Sequence, residues 1–132
     1  MDDDVIRRLL AYETWAVVGL GNPDRPAYGV AQLLLRKGKR VVPVHPWMTD
    51  VLGQPTYRSL LDIPHPVDVV DVFRRSDEAG RFADEAVAIG AKGVWFQLAI
   101  VDHDAYARTT AAGLDMVMDR CPAIEWPRLV RT

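Results

Sequence analysis

Residues 15–26, WAVVGLGNPDRP, constrain the fold more than any other stretch of this chain. Four apolar residues typical of a buried strand lead into Gly19-Leu20-Gly21, and a polar turn then leads to a helical pattern that ends at Gly38. A strand that ends at glycines and continues into a helix is a common phosphate site. Free backbone N–H groups converge on the anion there, and the helix N-terminus adds partial positive charge. We therefore expect a nucleotide-like ligand at this turn.

Composition narrows the class of protein. The 132 residues, 49% of them hydrophobic, fit one compact domain over residues 1–132. A net charge of −2 offers no basic field for nucleic acid, and a single cysteine, Cys121, cannot form an internal disulfide. The N-terminus is acidic and no apolar stretch approaches the roughly 18 residues of a membrane span, so we expect a cytoplasmic protein without a membrane segment.

Strand, helix and glycine-closed corner alternate along the chain. The pattern predicts strands at residues 15–18, 41–44, 67–73, 93–98 and 114–118, and helices at about 4–13, 27–37, 76–89 and 102–112. This βαβ rhythm predicts an α/β, Rossmann-like doubly wound fold: a mainly parallel five-stranded sheet with helices on both faces.

Several local expectations accompany this fold. Asp68 and Asp71 make the third strand less apolar and favour a sheet edge for it, whereas the fourth strand is expected to be central. Ser76 and Asp102 are expected N-caps. We expect a loop at residues 47–55, a short helix at 57–61 and an irregular C-terminal tail at about 119–132.

Ligands of doubly wound sheets bind outside the carboxyl ends of the strands. The four predicted strand ends that should build the site are residues 19–22, 44–46, 73–75 and 97–98. NAD is one candidate ligand, because Gly19-x-Gly21 begins the dinucleotide fingerprint. However, Asp24 replaces the third glycine, and no acidic residue follows the second strand to bind a ribose. No P-loop pattern occurs in the sequence.

An ordered set of short motifs extends from about residue 5 to residue 129. It comprises Val17-Val18-Gly19-Leu20 with Pro23, Arg25 and Pro26, Val42-Pro43-Val44 with Pro46, Leu52-Gly53, VDVVDVFR at 67–74, GAKxVWxQ at 90–97 and MDRC at 118–121. In these motifs the chain resembles the small stand-alone bacterial CoA-binding proteins, which are similar to the N-terminal CoA-binding domain of the succinyl-CoA synthetase α subunit. It departs from that family at Gly21, where serine is common, and at His45, where asparagine is common.

The resemblance implies that the ligand is coenzyme A or an acyl-CoA. The glycine turn and Arg25 would bind phosphate oxygens, His45 would donate to a phosphate or a ribose hydroxyl, and Phe73 and Arg74 would flank the adenine or the pantetheine arm. The full set of expected ligand-binding residues is Gly19, Leu20, Gly21, Asn22, Pro23, Arg25, Tyr28, Val44, His45, Pro46, Phe73, Arg74, Arg75 and Gln97. Tyr28 is equally compatible with packing in its helix, and Arg75 with a solvated ion pair to Asp77 or Glu78.

No catalytic group is assigned. The three histidines lack metal-ligand spacing, and Cys121 is more typical of a small buried residue than of a nucleophile. Binding without chemistry is therefore favoured over two alternatives, an NAD-responsive redox domain and a thioester-handling module that acts with a partner subunit. A homodimer or a separate ligase-type partner is left open.

Overall fold

The structure, a computed structural model, describes residues 3–130. Its helices are α1 (Asp3–Ala11), α2 (Pro26–Arg36), α3 (Ser76–Ala88), α4 (His103–Ala111) and α5 (Pro122–Leu129). Its strands are β1 (Thr14–Val18), β2 (Arg40–Val44), β3 (Asp50–Val51), β4 (Gln54–Pro55), β5 (Val69–Val72), β6 (Gly93–Phe96) and β7 (Asp115–Val117), with a 3-10 turn at Leu60–Asp62. Within residues 3–130, no helix has the length and apolar character that crossing a bilayer requires.

Five parallel strands form the main sheet in the order β2-β1-β5-β6-β7. One apolar layer lies between the sheet and α3 and α4, and a second lies beneath α1, α2 and α5. Trp15 and Trp95, both fully buried, meet at 5.8 Å between ring centroids in the second layer. The predicted Rossmann-like doubly wound fold is confirmed.

The N-terminal helix packs on its own sheet, since Ile6, Leu9 and Leu10 are fully buried within the chain. Asp102 is the N-cap of α4, as predicted, because its Oδ1 accepts a bond from the Ala105 N–H. The expectation for Ser76 was wrong: Arg75 is the N-cap residue of α3, and the Ser76 hydroxyl instead accepts a bond from the Val101 N–H.

Two segments expected to be irregular contain regular structure. Residues 50–55, placed in a loop, form the small antiparallel hairpin β3–β4. An irregular C-terminal tail was expected at about 119–132. That expectation was wrong for residues 122–129, which form α5, and residues 131–132 lie outside the described part. Pro122 sits at the helix start, where it needs no N–H partner, and Trp126 anchors the helix with 9% of its surface exposed.

The third strand of the main sheet, β5, is central. Its two aspartates had suggested an edge position, and that expectation was wrong. It pairs with β1 on one side and β6 on the other. Asp68 precedes the strand and accepts a bond from the Thr14 N–H. Asp71 is fully buried, and neither of its oxygens has a hydrogen-bond partner in the described structure. Burial raises the pKa of Asp71 well above its ordinary value, so the carboxyl tolerates this place by holding its proton.

The substitution Asp71→Asn tests this buried carboxyl. Because the folded pKa lies above the unfolded one, the wild-type side chain contributes most favourably below about pH 4, and this contribution is lost as pH rises. Asparagine does not titrate, so we expect the variant to gain free energy of unfolding over wild type as pH rises from 3 to 7. Urea titrations across that range measure it; a difference independent of pH would contradict the assignment.

Candidate functional site

A cleft of about 800 Å³ opens at the carboxyl ends of β1, β2, β5 and β6. After β1 the chain crosses by α2 to β2 on one side, and it later returns to β5 on the other side of β1. The winding therefore reverses between β1 and β5, which is where doubly wound sheets bind their ligands.

Gly19 is the point at which three strand ends meet. Its N–H donates to the Val44 carbonyl at 3.0 Å, while the Phe73 N–H donates to the Val18 carbonyl at 3.0 Å. Gly19 has φ of +93°, and a Cβ there would stand 3.0 Å from the Phe73 carbonyl oxygen. A side chain is therefore disfavoured by both the positive φ and the tight contact with Phe73, and the cleft floor consists of bare backbone at this point.

The turn that follows brings a helix N-terminus to the cleft. Asn22 Oδ1 accepts a bond from the Asp24 N–H at 2.9 Å, and the Asn22 carbonyl accepts one from the Arg25 N–H at 3.0 Å. Helix α2 then begins at Pro26 with no side-chain cap. Arg25 is exposed, and its guanidinium forms no ion pair with any residue that the structure describes. An uncapped helix start and an unpaired cation are therefore adjacent at the rim of the cleft.

His45 is held in one orientation by the backbone after β2. Its Nδ1 accepts bonds from the N–H groups of Trp47 at 3.3 Å and Met48 at 3.2 Å. Burial, and secondly the nearby Arg74, lower the pKa of His45, so the ring is neutral at pH 7 and carries its proton on Nε2. The ring also packs against Gly21, where a Cβ would come within 2.5 Å of His45 Cδ2. His45 therefore offers an N–H donor at the end of β2.

Two arginines follow β5, and they differ in their surroundings. Arg74 Nη2 donates to both Glu78 oxygens, at 3.2 and 3.0 Å, and this bond is the main cause of the lowered pKa of Glu78. Arg75 is mostly exposed, with Nε 3.3 Å from Asp77 Oδ1 and 3.7 Å from Glu78 Oε2. The geometry thus favours a solvated ion pair for Arg75. This residue also lines the cleft.

Gln97 and Phe73 form the inner wall of the cleft, one residue beyond the ends of β6 and β5. Only 7% of Gln97 is exposed, and its Oε1 is buried without a hydrogen-bond partner in the described residues. Its side-chain oxygen is therefore an unpaired acceptor beneath the surface of the cleft.

Most of the expected binding residues line the cleft. They are Gly19, Asn22, Arg25, His45 and Pro46 on the β1–β2 side and Phe73, Arg74, Arg75 and Gln97 on the β5–β6 side. Five others do not line it: the side chains of Leu20 and Val44 are buried in the core, Gly21 packs against His45, Pro23 is exposed in the turn, and Tyr28 packs against the second apolar layer.

Six cleft residues are not among the expected ligand-binding residues, although one of them, Leu98, lies in the predicted strand end at residues 97–98. These are Pro26 and Ala27 at the start of α2, Trp47, Glu78, Leu98 and Ile100. Trp47 is 70% exposed and lies edge-on to His45 with ring centroids 4.6 Å apart. The position of Trp47 directly after the second strand end was the available signal.

The described residues place no metal-ligand cluster at the cleft. No three His, Cys, Asp or Glu side chains lie together there as metal ligands would. Cys121 is buried in the second apolar layer, as expected of a structural cysteine, and does not line the cleft.

Comparison with known proteins identifies the family. The model of the CoA binding domain family matches residues 13–127. The chain belongs to this family. An uncharacterized protein of Bacillus subtilis, YneT, is 36% identical over 107 residues, which are 80% of this chain and 79% of that protein. The two coverages show that the two chains have similar lengths.

Solved structures share the fold of this chain. A hypothetical protein from Pyrococcus horikoshii superposes with a TM-score of 0.92 at 37% identity, covering 99% of this chain and 94% of that one. A dinucleotide-forming acetyl-coenzyme A synthetase of Candidatus Korarchaeum cryptofilum, solved with phosphate and ADP, has a TM-score of 0.74 at 22% identity. The match covers 85% of this chain and 26% of the synthetase, and it shows a shared fold.

Substitutions at Gly19 and Gly21 distinguish a steric overlap from an unfavourable backbone conformation. We expect Gly21→Ala to lower the free energy of unfolding by about 1–3 kcal/mol, because the new methyl group overlaps the His45 ring. Adding His45→Ala should recover part of that loss, because the two nearest obstructing atoms, His45 Cδ2 at 2.5 Å and Nε2 at 2.8 Å, are then gone and the Met48 sulfur at 2.9 Å remains. Urea unfolding of the two single variants and the double variant measures the coupling.

Gly19→Ala is the matched control. Its obstructing atom is the Phe73 backbone oxygen and its φ is positive, so His45→Ala should not rescue it. Equal rescue of both glycine variants would contradict the packing described here.

Proposed function

We propose that this domain binds coenzyme A or an acyl-CoA in the cleft at the ends of β1, β2, β5 and β6, and performs no reaction of its own. The single observation that carries the proposal is the uncapped start of α2 beside the unpaired Arg25 guanidinium, both at the cleft. Backbone N–H groups at a helix N-terminus and a free arginine together suit a diphosphate.

The other cleft walls fit the remaining parts of such a ligand. His45 presents Nε2–H at the end of β2, where it can donate to a ribose hydroxyl or a phosphate oxygen. Phe73, Leu98 and Trp47 provide apolar surface for the adenine and the pantetheine arm. The unpartnered Gln97 oxygen, in turn, can accept a bond from an amide N–H of that arm.

The proposal of binding without chemistry rests on the positions of the two candidate reactive groups. Cys121 lies in the core and outside the cleft. His45 has Nδ1 bonded to backbone N–H groups and not to a carboxylate, so it lacks the acidic partner that orients a histidine base in catalytic triads.

Isothermal titration with CoA, dephospho-CoA, NAD and ATP tests this function. We expect CoA to bind with a dissociation constant below the millimolar range, more tightly than NAD or ATP, and to raise the melting temperature. At ligand concentrations of about 100 times Kd the linkage adds about 2.7 kcal/mol. Failure of CoA to bind would overturn the proposal, and tighter binding of NAD would replace it with the redox alternative.

The substitution Arg25→Gln tests the diphosphate site. We expect CoA affinity to fall about tenfold, which is the usual loss for one charge-assisted hydrogen bond, with little change in stability because the side chain is exposed. Arg36→Gln is the matched control, since it removes the same charge at the opposite end of α2. Equal losses in both variants would indicate a general charge effect and contradict a contact at Arg25.

A further inference from the structure

A second, smaller cavity lies on the other side of the β1 and β2 ends from α2. We call it the side pocket; its walls include Arg58, Ser59 and Arg74 together with Arg81, Phe82 and Glu85. The last three belong to α3, which covers the opposite face of the sheet. The side pocket shares Gly19, His45, Pro46 and Arg74 with the main cleft. A ligand seated on these strand ends can therefore reach into both cavities.

Charge distinguishes the side pocket from its surroundings. Three arginines line it against one acid, Glu85. Arg58 and Arg81 form no ion pair within the described chain, whereas Arg74 is bonded to Glu78. Arg81 lies 4.4 Å from the Phe82 ring centroid, a stacking contact that leaves its N–H groups available. The pocket thus has two uncommitted cations.

Glu85 does not cancel this charge. Its Oε1 is buried without a hydrogen-bond partner in the described structure. Burial raises its pKa, an effect that the neighbouring Arg81 partly offsets. The two unpaired arginines, Arg58 and Arg81, outnumber this one acid, so the side pocket keeps a positive charge even when Glu85 is ionised.

The size of the side pocket limits what can enter. Its volume is about 140 Å³, room for about four or five water molecules at liquid density. A single phosphate group, with five non-hydrogen atoms, fits in this volume. Size and charge together indicate a phosphate monoester as the occupant.

We propose that the side pocket binds the phosphate on the 3′ position of the CoA ribose, through Arg58 and Arg81. This inference rests on the proposed function, because it requires the adenosine end of CoA to lie over the ends of β1 and β2. Arg74, shared by both cavities, then stands between the 3′-phosphate and the diphosphate. The pocket makes the domain selective for CoA over dephospho-CoA, which lacks only this phosphate.

The test compares CoA and dephospho-CoA by titration against wild type and the double variant Arg58→Gln/Arg81→Gln. We expect wild type to prefer CoA by about 10- to 100-fold, the range for hydrogen bonds to a charged group. The double variant should reduce that preference to about threefold or less, because neutral amides form weaker bonds to phosphate. Its affinity for dephospho-CoA should stay within about threefold of wild type, since this ligand does not enter the pocket.

Arg36→Gln/Arg40→Gln is the matched control, because it removes two exposed arginines at the opposite end of the sheet. It should keep the wild-type preference for CoA. Circular dichroism confirms that both double variants are folded before titration. An unchanged preference in Arg58→Gln/Arg81→Gln, or no preference in wild type, overturns the inference while leaving CoA binding intact. If neither ligand binds wild type, the proposed function itself fails.

Discussion

The close contact between the ends of β1, β2 and β5 is the constraint on which the site depends. The Gly19 N–H donates to the Val44 carbonyl, the Phe73 N–H donates to the Val18 carbonyl, and a Cβ on Gly19 would stand only 3.0 Å from the Phe73 carbonyl oxygen. No side chain therefore covers the backbone at Gly19, which can contact a ligand in the cleft. Helix α2 starts beside this turn. Both cavities share Gly19, so the two proposed phosphate positions have a common, rigid reference point.

The sequence predicted the architecture well because strand, helix and glycine corner are local signals. The sequence-based prediction failed where contacts made only in the folded chain override what the local sequence indicates. Asp71 suggested an edge strand, but a carboxyl that holds its proton fits a central one at an energetic cost. Pro122 and Pro127 suggested an irregular tail. The helix forms nonetheless, since Pro122 occupies its first turn and Trp126 packs into the second apolar layer, with Lys37 and Lys39 over its ring.

The candidate site was predictable only as far as strand ends could be located. That rule placed His45, Arg74 and Gln97 at the cleft, but it could not show which groups each would contact. The Arg74–Glu78 bond depends on the first turn of α3. The side pocket depends on residues that precede and follow β5, which approach each other only in the fold. Gly21 and His45, the two positions that differ from residues common in the family, prove to be in contact.

The Arg74–Glu78 bond also affects the entropy of ligand capture. Arg74 is already ordered, with a third of its side chain exposed, because Glu78 fixes its guanidinium before any ligand arrives. Arg25 is exposed and forms no ion pair with the described residues, so its side chain must lose rotamer freedom when it binds an anion. One wall of the cleft is thus preorganised and the other is adaptable. The α3 side of the cleft can then hold the invariant part of a ligand rigidly, while the α2 side adjusts to small differences in the position of that ligand.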